Sequence, residues 1–178
     1  MTEKNLLKGV KGRSTVDFML RTVQQHHVQL SMMADQKANI LMGASFLILT
    51  ITLSHFRTNG FSPGLLVLSI FTLLSAGFSL LAVMPSIPKK KFCSVNSPNF
   101  NPLFFSFFTN LELDEYTKHM REIISDDTKI YETFIKDTYQ LGKILQKKKY
   151  RLLGYSYRIF LLGMVLSFII TLGELAFK

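Results

Sequence analysis

Three stretches of roughly twenty residues carry almost no charge, and they constrain this 178-residue chain more than any other feature. A helix that crosses a hydrocarbon layer of about 30 Å needs about 20 apolar residues at about 1.5 Å each. Residues 38–56 (ANILMGASFLILTITLSHF) and 63–84 (PGLLVLSIFTLLSAGFSLLAVM) meet that need with no formal charge. Residues 159–177 (IFLLGMVLSFIITLGELAF) meet it with Glu174 close to the end, where a carboxylate reaches water. Apolar residues make up 48% of the chain and charged ones 19%, a balance rare in a soluble domain of this size. The sequence therefore predicts an all-α membrane protein: three transmembrane helices with long cytoplasmic helical extensions.

Lysine and arginine set the direction of insertion. Residues 1–37 hold six of them and residues 85–158 thirteen, against Arg57 and Lys178 on the other side. The N-terminus and the segment 85–158 are thus expected in the cytoplasm, with the short connection 57–62 turning the first two spans into an antiparallel hairpin. The formal charge of +9 fits cytoplasmic flanks beside anionic lipid, and no nucleic-acid partner is expected. The first residues are basic but lack the apolar core of a signal peptide, so the first span is expected to be retained. Residues 1–13 read as a flexible basic N-terminus, and 14–178 as a single membrane domain with 85–158 as its cytoplasmic helical region. The lone cysteine, Cys93, excludes a disulfide framework, a tetrathiolate zinc site and a CxxC redox pair within the chain.

Ser14 and Asp17 form an S-x-x-D capping signature, and Val16, Leu20, Val23, His27, Leu30 and Ala34 follow in steps of three and four. This spacing predicts one long helix from Ser14 to Phe56, whose first half packs against a partner helix, either in another subunit or in the same chain. The loop PSIPKKKFCSVNSPNFNP (85–102) breaks regular structure, and LFFSFF (103–108) is too short to span and too apolar to hang in water. Those rings are expected at the interface or packed, with stacking on a ligand as the other reading. A helix is predicted over about 114–125. Asp126 then caps a second helix, with Ile130, Phe134, Leu141, Leu145 and Leu152 on one stripe, that continues into the third span.

Catalytic chemistry finds no support. His26 and His27 point about 100° apart on a helix, His55 and His119 lack spaced partners, and Cys93 has no sequence signature for a base. No catalytic residue, metal or cofactor is expected, and the chain reads as a non-enzyme. The polar run SMMADQKANI is more informative, because it stands where the first helix meets the lipid. Asp35 and Asn39 share a face, whereas Lys37 points elsewhere. Such groups are costly near lipid unless paired, so they form a structural network, through Asn101 or a lysine, or they couple a ligand to the spans. Gly43, Ala44, Ser45, Ser75, Ala76, Gly77 and Ser79 are small enough for close helix approach, in a packed hairpin or around a pore.

Five segments in order, LSMMADQKANILMGAS (30–45), NPLFFSFF (101–108), DEYTKHM (114–120), the D-x-x-x-Y…D-x-Y-Q-L-G run through Asp127, Tyr131, Asp137 and Gly142, and KYRLLGYSYRIF (149–160), resemble the Pycsar effector transmembrane family, PycTM. The resemblance covers about residues 15–175. It implies an anti-phage effector of the bacterial inner membrane; the three spans and the Val16–Ala34 seam add the expectation of a multi-pass homo-oligomer. A partner cyclase makes cyclic CMP or cyclic UMP on infection, and the effector then impairs the membrane, arresting growth or killing the cell. On that reading the phosphate is expected near Lys37, Arg121, Lys136 or Arg158, with Tyr131 or Tyr139 stacking the base, and with Asp35, Asn39 and Asn101 coupling the ligand to the spans. The alternatives are a non-enzymatic membrane anchor or scaffold recruiting a soluble partner, supported by the Val16–Ala34 seam, and a holin-like toxin gated by its amount.

Overall fold

The computed structural model describes Leu7 and residues 12–85 and 100–176, and every element among them is helical. Most of the basic N-terminus and of the proline- and lysine-rich loop, Cys93 included, lies outside the described residues. The elements are α1 (Ser14–Asn59), α2 (Pro63–Val83), α3 (Phe105–Phe108), α4 (Leu113–Ile124), α5 (Asp127–Ile144), a π-helical turn (Leu145–Tyr150) and α6 (Arg151–Ala176). Three helices are long and apolar enough to cross a membrane, as the hydropathy predicts. The break between α4 and α5 falls where Asp126 predicts it, and its Oδ1 accepts the Thr128 N–H at 2.9 Å.

The chain divides into two compact units. The first comprises the described residues of Met1–Gln29 and Pro85–Lys143; the second comprises Leu30–Met84 and the described residues of Ile144–Lys178. The second unit holds the three spans. Its closest backbone packing joins α2 to α6. Side-chain size explains it. A β-carbon at Gly163 would collide with Phe71, and one at Gly64 with Thr171, whereas one at Gly43 or Gly77 would meet nothing within 4 Å. Gly60, at φ +84°, makes the turn between α1 and α2.

This unit buries small polar residues beside a few apolar ones and turns large apolar side chains outward, the distribution suited to a lipid surround. Ser45, Thr52, Thr72, Ser75, Ser79 and Ser156 are fully buried, while Phe46, Ile51, Leu161 and Phe168 face outward. Ser156 Oγ lies 3.0 Å from Ser75 Oγ and 2.7 Å from Ser79 Oγ, and Ser75 Oγ donates to the Ser156 carbonyl at 2.9 Å. Each such bond contributes about 0.6 kcal/mol in a membrane, so the seam works by close fit as much as by hydrogen bonding. Glu174 has a purpose the sequence did not reveal. Its carboxylate accepts the Gly64 N–H at 2.8 Å and the Ser62 hydroxyl at 3.0 Å, placing a negative charge at the N-terminus of α2.

Candidate functional site

In the first unit a buried polar network organises the residues around α5. Asn101 is 1% exposed and donates through Nδ2 to Asp137 Oδ1 at 2.8 Å, while its own Oδ1 accepts the Leu103 N–H at 3.0 Å. Gln24 Nε2 reaches the other oxygen of Asp137 at 3.0 Å. Both carboxylate oxygens thus have donors, the condition for burying a charge. One turn and a half earlier on α5, Tyr131 is buried; it donates to Asp17 Oδ1 at 3.0 Å and accepts the Arg13 N–H at 3.3 Å. Burial pushes its phenol above the ordinary 10.0; the Arg13 amide opposes this, and the Asp17 carboxylate reinforces it. Asp17 therefore serves a partner on α5 besides standing in the first turn of α1.

Beside this network lies a cavity of about 320 Å³, lined by Phe100, Pro102 and Ile123, by His119 and Thr133, and by four charged residues: Glu122, Lys129, Glu132 and Lys136. Lys129 and Lys136 are seven residues apart, so two turns of α5 bring them to one face. Phe100, 3% exposed, is fixed by edge-on contacts with Phe107 and His119 at centroid distances of 6.1 and 5.5 Å. The aromatic run is thus partly packed: Phe104, Phe107 and Phe108 contact one another or Tyr116, and Phe105 is exposed. A cavity of this size and lining can take a small anion-bearing ligand with one flat apolar face.

The second unit contains a clasp. Lys149, in the π-helical turn, donates to both Asp35 oxygens and to Ser31 Oγ, each at 2.7 Å. Tyr150 and Tyr157 add hydroxyl donors to the carbonyls of Leu30 and Lys37, both at 3.2 Å. A π turn carries one residue more than α geometry needs and so rotates the side chains that follow it. Asp35 therefore has the lysine partner that its cost near lipid requires.

The residues singled out from sequence are dispersed. Lys136 is on the cavity wall. Tyr131 is held by Asp17 and lines a separate cavity of about 240 Å³ with Arg21, Gln24 and Phe134. Tyr139 is exposed, with the Lys143 ammonium 4.3 Å from its ring centre. Arg121 is exposed on α4, and Lys37 and Arg158 are exposed on α1 and α6 of the second unit. Asn101 and Asp35 belong to different units, and Asn39 is exposed. Sequence reasoning missed Lys129, His119, Glu122 and Glu132; the only available signal was the heptad spacing of Lys129 and Lys136.

A three-span helical membrane protein with a separate helical unit, a mixed-charge cavity and no group of metal ligands among the described residues is the class these features define. The model of the PycTM family, the Pycsar effector protein domain, matches residues 18–173, and the chain belongs to that family. It is a family of anti-phage defence effectors in the membrane, not a known class of enzyme, and it implies a partner cyclase that makes a cyclic nucleotide. No curated protein and no solved structure matches the chain.

Proposed function

We propose that the protein is a multi-pass effector of the bacterial inner membrane, with its N-terminus in the cytoplasm. Cyclic CMP or cyclic UMP activates it, as a homo-oligomer, to impair that membrane and halt growth. The family match over residues 18–173 carries this reading. The cavity supports it with two lysines that make no ion pair among the described residues. Two charge-assisted contacts at roughly 1.5–3 kcal/mol each are on the scale needed for a switch, since reversing a 1:99 population takes about 5.5 kcal/mol of differential binding. The clasp at Asp35 supplies a discrete contact for the spans to break or keep.

The test is dye release from proteoliposomes holding the purified full-length chain, with cyclic CMP, UMP, AMP and GMP added separately. Leakage is expected with a cyclic pyrimidine nucleotide only, and Lys149→Met is expected to bind nucleotide while losing most of the leakage. Inserted, folded protein that leaks with none of the four would establish the scaffold instead. Leakage without nucleotide would establish the amount-gated toxin.

A further inference from the structure

The charges around the cavity are unspent. Glu132 and Lys136 stand at i and i+4 on α5 in the order that favours an ion pair, yet neither they nor Glu122 and Lys129 pair with any described residue. Two cations and two carboxylates thus face one small space, beside a wall of Phe100, Pro102 and Ile123. A ligand that fits them all has an anionic group for the lysines, a flat apolar ring for the wall, and N–H donors for the glutamates. Carboxylates only accept hydrogen bonds, so the glutamates select for donors.

Building on the proposed nucleotide activation, we infer that this cavity is the nucleotide site and that its glutamates make cyclic CMP the preferred signal over cyclic UMP. Lys129 and Lys136 take the cyclic phosphodiester, and the pyrimidine lies against the Phe100 wall. Glu122 and Glu132 face the polar edge of the base. Cytosine offers that edge an exocyclic amino group with two N–H bonds, the group that Glu and Asp accept from when they read cytosine. Uracil offers a single N–H flanked by two carbonyl oxygens, and those oxygens oppose a carboxylate. His119 can donate to the ring carbonyl that both bases share, so the glutamates carry the selection.

The experiment is calorimetric titration of the full-length protein in nanodiscs with each of the four cyclic nucleotides. The unmodified chain is expected to bind cyclic CMP about tenfold tighter than cyclic UMP. Lys129→Met with Lys136→Met is expected to weaken both by about tenfold or more, while the paired arginine replacements retain binding. Glu122→Gln with Glu132→Gln is expected to shrink the preference several-fold, because a glutamine amide can donate to a uracil carbonyl. All four side chains are at the surface of α4 or α5, and helical circular dichroism checks that each variant is folded. Unchanged binding by the folded lysine pair would overturn the site while leaving nucleotide activation standing. Tighter binding of cyclic UMP, or of cyclic AMP, would overturn the selection. No binding of any nucleotide by the unmodified chain would remove the functional reading itself.

Discussion

Tyr131 ties the first turn of α1 to α5 through one phenol, which makes it sensitive to pH in a predictable direction. Its folded-state proton affinity is raised, so the stability it contributes is complete below the unfolded value of 10.0 and disappears as pH climbs through the folded value. Tyr131→Phe removes the hydrogen bond to Asp17 and is expected to lower stability at neutral pH. Denaturant titrations of the detergent-solubilised chain should show that deficit constant below pH 10.0 and shrinking above it; a deficit that stays constant above pH 10.0 would place the proton elsewhere. The same residue marks the limit of reading a site from sequence. The family resemblance put Tyr131 and Asp137 in one run, but their partners Asp17 and Gln24 lie 114 and 113 residues away, and no local pattern encodes such pairings.

Among the elements, hydropathy located all three spans, and the single residue Asp126 located the break between α4 and α5. The π-helical turn was illegible, because LQKKKY has ordinary helical residues and its extra residue is a matter of backbone register. The close packing of α2 on α6 had no signal in the chain order, because Gly64 and Gly163, which let the two helices meet, lie far apart in sequence. That yields a contrast. Gly163→Leu must displace Phe71 and is expected to cost at least about 2 kcal/mol, with loss of folded protein on extraction, whereas Gly77→Leu meets open space in the protomer and is expected to leave its stability within about 0.5 kcal/mol. Thermal melts of both variants in detergent measure this. If Gly77→Leu nonetheless abolishes toxicity in cells, that face is where subunits meet.

At the scale of the whole molecule, basic residues define the proposed topology, and the single cysteine makes it measurable. Cys93 lies in the segment expected in the cytoplasm, so a membrane-impermeant maleimide should label it only after the inner membrane is opened. Labelling in intact spheroplasts would reverse the orientation. The mixed-charge cavity could not be read at this scale from the sequence: Phe100 precedes α3 while Lys136 is on α5, and composition shows only a surplus of lysine.

The carboxylate at the end of the third span also fixes how late one contact of α2 can form during synthesis. Gly64 and Ser62 wait for an acceptor that lies 110 and 112 residues further along the chain. At a synthesis rate of about 5–20 residues per second, α2 spends roughly 5–20 s in the bilayer before Glu174 arrives. Until then the N-terminus of α2 lacks its counter-charge, although Ser156, translated earlier, can already join Ser75 and Ser79 in the serine seam. A nascent chain stalled between Ser156 and Glu174 therefore has the residues of the serine seam but not the carboxylate that caps α2.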